Sequence, residues 1–311
     1  MVKPSTLVAF LVLFVLVLSG CGPKGGPNAT PERPTILATT GMIGDLAKII
    51  AGPDADVTVM MGAGVDPHLY RPTPEDTANI NKASAVLYNG LHLEGRMTEI
   101  LEKLEENGQK PVVAVTETLP QALLISLPGG GNQVDPHVWF DVTLWRQAAL
   151  VINDTLTKMV PAKEANFEER TTKLLKELDA LDVWVKEQLL LVPKERRVLI
   201  TAHDAFAYFG KRYGVEVMGI QGTSTAAEAS AKTIQTLAET ISTRKIPAIF
   251  VESSVPKATI EALQQAVGAR GWQVKIGGQL YSDALGNQGT PEGTYQGMFR
   301  ANVNTIVKAL R

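Results

Sequence analysis

Residues 162 to 191 (AKEANFEERTTKLLKELDALDVWVKEQLLL) run for 30 positions without a glycine or a proline. With neither breaker present, and with acid and base pairs at i, i+4 such as Glu169 and Lys173, the stretch predicts one helix exposed along much of its length. At 1.5 Å per residue it can reach roughly 45 Å. Everything else must be arranged before or after this rod. On both sides apolar runs alternate with helical patterns, as expected of α/β domains. Before it, strands are expected at Thr35–Thr39, Asp56–Met61, Ala85–Tyr88 and Pro111–Val115, and helices at Met42–Ile50, Pro74–Lys82, Gly95–Glu106 and Thr143–Met159. After it come strands at Arg197–Thr201, Glu216–Gly219, Ala248–Val251 and Gln273–Ile276, and helices at Ala205–Arg212, Ala227–Arg244, Pro256–Gly268 and Thr294–Leu310. The simplest account is an α/β lobe over 34–160, a rigid connecting helix over 161–192 and a second α/β lobe over 193–311. Between the lobes lies a cleft facing the C-terminal ends of parallel strands, where ligands of open α/β sheets bind.

Composition narrows the partners. The chain has 311 residues, a net charge of −2 and 45% apolar content, which excludes disorder as its main state. No basic stripe exists to neutralise phosphates, so nucleic acid is not an expected partner. The single cysteine, Cys21, rules out an intramolecular disulfide and a thiolate metal cluster. It follows Lys3 and the apolar run Leu7–Leu18, which is too short for an ordinary membrane span of roughly 20 residues. Leu18-Ser19-Gly20-Cys21 resembles a bacterial lipobox. The expectation is a lipoprotein signal peptide over 1–20, lipid on Cys21, and a flexible Gly/Pro-rich tether over 21–33.

Chemistry concentrates in four loops. Asp66-Pro67-His68 and Asp135-Pro136-His137 repeat one tripeptide, so two of the four histidines share one rare setting. Proline fixes its own φ and drives the preceding Asp toward an extended conformation, presenting each histidine from a stiff loop. His203 ends an apolar strand just before a helix, and Asp283 sits in a polar stretch after the last strand. Three imidazoles and one carboxylate suit a first-row divalent metal such as zinc or manganese better than calcium or magnesium, which favour all-oxygen shells. Asp66 and Asp135 can be turn formers, partners that hold an imidazole tautomer, or neither, and the turn-forming reading is preferred. Glu252, after the strand AIFV, and Asp204 are candidate supporting residues behind the ligands. His92 lacks the Asp-Pro setting and is read as structural or surface.

The lipobox, the segments Asp66-Pro67-His68-Leu69-Tyr70 and Asp135-Pro136-His137-Val138-Trp139-Phe140-Asp141, Thr201–Phe209, Phe250–Ser254 and Tyr281–Gly286 together resemble the metal-binding lipoproteins of zinc and manganese ABC importers. The match covers nearly the whole mature chain in order. It implies ligation by His68 and His137 from the first lobe and by His203 and Asp283 from the second. It also implies an extracytoplasmic, lipid-anchored, monomeric binding protein that delivers the ion as cargo to a membrane permease driven by a cytoplasmic ATPase. Many zinc-dedicated members carry a His-rich loop before the second histidine motif. Here Leu127–Val134 (LPGGGNQV) has no histidine. Many manganese-type members have glutamate where His203 stands. The set therefore resembles the branch with three histidines and one aspartate, linked to zinc, manganese and sometimes iron.

Ligating histidines must be unprotonated, so binding is expected to weaken below about pH 6.5. The long helix implies a small closure with rearrangement of the Asp283 loop rather than a wide swing. Two other classes compete with this reading. A zinc hydrolase needs an open coordination position and a base, and no His-Glu-x-x-His helix is present, so an enzyme is not expected. A two-lobe binder of an organic solute, or a surface adhesin, is the alternative; an organic solute calls for aromatic and Arg contacts rather than metal donors.

Overall fold

The computed structural model describes residues 33–127, 129 and 131–311, which form one compact unit. The expected signal peptide, Cys21 and almost all of the tether lie outside the described residues. Among those described, no helix is long and apolar enough to cross a membrane.

The first half alternates strand and helix: β1 (Thr35–Ala38), α1 (Gly41–Ala51), β2 (Asp56–Val59), α2 (Pro74–Lys82), β3 (Ala85–Tyr88), α3 (Thr98–Glu106) and β4 (Val112–Ala114). The strands form an all-parallel sheet in the order β2-β1-β3-β4. Central β3 (AVLY) is buried at every position, whereas edge strand β2 (DVTV) has polar residues facing out, the pattern expected when helices cover both faces of a parallel sheet. α2 starts at a capping box: Pro74 follows Thr73, whose side chain accepts from the Asp76 N–H while the Asp76 carboxylate accepts from the Thr73 N–H.

α4 (Val142–Met159) leads into the long helix α5 (Glu164–Leu189), two residues shorter at each end than expected. Phe167, Thr171, Leu174, Leu178, Leu181, Val185 and Leu189 are buried along α5, spaced by three and four residues. They make one continuous stripe, packed on α4, α1 and the last helix. The helix is thus half inside rather than exposed along its length. Glu169 and Lys173 form no ion pair; Arg170 instead reaches across to Asp54, 2.7 Å away.

The second half continues with β5 (Val198–His203), α6 (Ala207–Tyr213), β6 (Glu216–Gln221), α7 (Ala231–Arg244), β7 (Ala248–Glu252), α8 (Ala258–Gly268), β8 (Lys275–Leu280) and α9 (Tyr295–Leu310). β5 pairs with β6 and β7 with β8, all parallel, and β5 lies beside β7. Two boundaries differ from expectation for clear reasons. α7 begins at Ala231, not Ala227, because the Ser230 side chain caps it by accepting from the Thr233 N–H at 3.0 Å. β8 covers Lys275–Leu280 rather than Gln273–Ile276, continuing through Gly277 and Gly278 with a register shift at Ile249/Phe250 that leaves Gly277 out of the pairing. A side chain at Gly277 would meet Ala309 of α9 and Phe250 of β7 at under 3 Å, so glycine marks a close approach and not a loop.

The fold is α/β with two lobes on a long helix, and the halves share one core. Phe140, Phe206 and Phe299, from three different segments, stack with Phe140 and Phe206 centroids 4.3 Å apart.

Candidate metal site

His68 and His137 lie on loops of the first half, His203 ends β5, and Asp283 follows β8. The two Asp-Pro-His loops fold alike. Asp66 accepts from the His68 backbone N–H, and Asp135 from that of His137, each at 2.9 Å. This is the Asx-turn expected of them. The four side chains then converge, with one ligand atom from each lying within 4.8 Å of the others and all four buried. Asp283 Oδ1 is 3.3 Å from His137 Nε2, and Asp283 Oδ2 is 3.2 Å from His203 Nε2 and 3.7 Å from His68 Nε2. The Nε2 atoms of His68 and His137 are 3.3 Å apart. Most of these spacings match the edge, about 3.3 Å, of a tetrahedron built on metal–ligand bonds of about 2.0–2.1 Å.

Behind two of the imidazoles stands a carboxylate. Asp135 Oδ1 takes the His137 backbone N–H and also sits 2.7 Å from ring Nδ1, so Asp135 does more than form a turn. Glu252, wholly buried at the end of β7, does the same for His203. Its Oε1 accepts the backbone N–H at 2.9 Å and its Oε2 lies 2.6 Å from Nδ1, too bent for a regular hydrogen bond. A carboxylate at Nδ1 fixes the ring orientation and leaves Nε2 to face the centre. Asp204 is only partly buried, and its carboxylate makes no hydrogen bond to the four ligand side chains. His92 stands outside the group, exposed, on the rim of a cavity of about 110 Å³ that adjoins His68.

Neither Nε2 nor Nδ1 of His203, nor either oxygen of Asp283, has a regular hydrogen-bond partner. Buried polar atoms are costly unless something answers them, and here the His203 Nε2 and both Asp283 oxygens face a common centre, while the His203 Nδ1 faces Glu252. Without a cation, protons must fill that role. Burial opposes a charge on His137, but Asp135 and then Asp283 outweigh it and push the imidazole up to about 9. His203 is likewise held well above its ordinary value against burial, by Glu252 and Asp283. Burial, aided by the charges of His137 and His203, instead pushes His68 down to about 3. Asp283 would be raised by burial but is held well below the carboxylate range by His203 and His137. The threshold expected near pH 6.5 therefore moves up for two of the clustered imidazoles and down for the third.

Sequence reasoning also missed Trp139. Its indole N–H donates to the Ser282 carbonyl at 3.2 Å, and its own carbonyl accepts from the Tyr295 hydroxyl at 2.6 Å. Placed two residues after His137, it ties that loop to the one bearing Asp283.

The ZnuA family, described as zinc-uptake complex component A, periplasmic, matches residues 36–309. The chain belongs to this family. It is 49% identical over 282 residues to the zinc-binding protein TroA of Treponema pallidum, covering 91% of this chain and 90% of that protein. It is 43% identical to the manganese-binding lipoprotein MntA of Bacillus subtilis, covering 98% and 99% respectively. A solved structure of the periplasmic zinc binding protein TroA from Treponema pallidum matches with a TM-score of 0.87 at 50% identity, covering 89% of this chain and 99% of that one. The family likeness thus takes in both lobes, the connecting helix and every segment that contributes to the cluster.

Proposed function

We propose that this protein is the extracytoplasmic substrate-binding component of an ABC transporter, capturing zinc or manganese as cargo through His68, His137, His203 and Asp283 and handing it to a membrane permease coupled to an ATPase. The observation that carries the reading is the convergence of three imidazole Nε2 atoms on one buried carboxylate, with no other group to answer them. Three nitrogens and an oxygen are donors for a borderline divalent ion, and affinity alone would place zinc above manganese. The ligands come in pairs from the two lobes, 34–160 and 193–311, so the ion closes the seam that helix 161–192 spans. The site binds and releases rather than catalyses: a fourth protein ligand takes the coordination position that a zinc hydrolase leaves to water. A lipid on Cys21 would hold the otherwise soluble monomer at the cell envelope.

Elemental analysis and competitive zinc and manganese titration of the 22–311 fragment test this reading, beside His68→Ala, His137→Ala, His203→Ala and Asp283→Ala. One ion per chain, weakened by each substitution, is the expected result. No stoichiometric metal, or binding indifferent to all four changes, would overturn it.

A further inference from the structure

Between β3 and α3 the chain makes a tight loop, Asn89-Gly90-Leu91-His92-Leu93-Glu94-Gly95, that the ligand set does not explain. Leu91 and His92 both adopt left-handed backbone conformations, at φ 53° and 62°, which side-chain-bearing residues seldom occupy. Something must hold them there. Glu94, with no solvent exposure, accepts the Thr39 hydroxyl at 2.8 Å and the backbone N–H groups of Asn89 and Gly90 at 2.6 and 3.3 Å. The loop is thereby clipped to the end of β1. One end of it reaches the His137 loop, where the Asn89 amide donates to the Pro136 carbonyl at 3.1 Å. The other end lies against the His68 loop: Gly95 has φ 49°, and a Cβ placed there would overlap the His68 carbonyl oxygen.

We propose that the Asn89–Gly95 loop, held by the buried Glu94 carboxylate, is a bracket that sets the spacing of His68 and His137 and so tunes the metal preference of the site. The proposal rests on the ligand reading above. Asn89 and Glu94 are positioning residues that act through the two histidine loops, and none of their side-chain atoms needs to touch the ion.

The test measures zinc and manganese affinities and the visible absorption of bound cobalt(II) for Asn89→Ala, Glu94→Gln and Gly95→Ala. Asp54→Asn, which loosens a distant tie to α5, serves as a stability control. Loss of outer partners typically weakens metal binding about 10- to 100-fold. Asn89→Ala and Glu94→Gln are expected to lose at least about tenfold for zinc, to change the zinc-to-manganese ratio and to shift the cobalt bands. Gly95→Ala is expected to do the same more strongly; if it fails to fold, Asn89→Ala still decides. Asp54→Asn should lower the melting temperature with ratio and bands unchanged. Bracket variants that behave like this control, while His68→Ala and His137→Ala still weaken binding, would overturn the bracket alone. Indifference to the histidine substitutions as well would overturn both readings.

Discussion

Asp66-Pro67-His68 and Asp135-Pro136-His137 are the same three residues, and they leave their imidazoles in opposite states. Backbone capping is identical, at 2.9 Å in both loops. The rings diverge because the capping Oδ1 of Asp135 also lies 2.7 Å from the Nδ1 of its histidine, whereas the capping oxygen of Asp66 makes no such ring contact and its other oxygen accepts the Thr225 hydroxyl at 2.6 Å. One histidine gains a carboxylate at its Nδ1 and is pushed up to about 9; the other has none there, and burial outweighs the pull of Asp283 and pushes it down to about 3. A short motif fixes how a side chain is presented, but the proton it carries is decided by what packing brings to the ring.

The largest consequence is in pH. Loading must displace protons from His137 and His203, while His68 has none to lose. Their proton affinities are raised above the free imidazole value, so metal binding strengthens as pH rises through and beyond that value, and the share due to His137 levels off near 9. With two protons displaced, the apparent affinity changes by up to about a hundredfold per pH unit in that window. Titration calorimetry in buffers of different ionisation enthalpy counts the protons released. A count near zero at pH 7 would mean that the two clamped histidines are already neutral, and the contrast with His68 would vanish.

Next in size is removal of the anions themselves. Asp135→Asn keeps an oxygen for the His137 N–H but deletes the charge beside its ring. Metal affinity should fall about 10- to 100-fold and the pH slope should flatten by about one proton. Glu252→Gln should do likewise through His203. Asp66→Asn retains the same backbone cap and had no ring contact to lose, so its loss should stay below about tenfold with the slope intact. Equal effects from Asp66→Asn and Asp135→Asn, read in one competition assay, would break the comparison.

The same contrast explains what was legible in the sequence. Strand and helix order could be read because alternating apolar runs and missing breakers report local structure directly, and four isolated donors stood out by their loop settings. Of the two clamps, Glu252 stood out only as a support with no ligand assigned to it, and Asp135 mainly as a turn former. Glu252 is 49 positions from His203, and only the packing of β7 beside β5 brings it to the ring. Asp135 was visible as a turn residue, yet its second role depends on the His137 ring lying against the capping oxygen, which the His68 ring does not do at Asp66. Gly277 and Gly278 misled for a related reason: glycine signals a break locally, whereas here it answers the close passage of α9 and Phe250, which are remote in sequence.

The smallest expected effect concerns the second oxygen of Asp66, the one not used in the backbone cap. Thr225, buried in the loop after β6, is the partner that holds that oxygen outward, and it does so across the seam between the lobes. Thr225→Val keeps the shape and removes the hydroxyl. Asp66 still caps His68, so the loop should persist, and the loss should be that of one charge-assisted hydrogen bond, about 1.5–3 kcal/mol at most and less where water enters. Because the bond ties the first lobe to the second, the change should appear mainly as faster release, about tenfold, when a chelator strips the loaded protein in a stopped-flow experiment. Thr225→Ser, which restores a hydroxyl, should bring release back toward the parent rate. If Val and Ser variants release metal at one rate, the Thr225 contact does not help hold the seam, and the outward turn of Asp66 needs another cause.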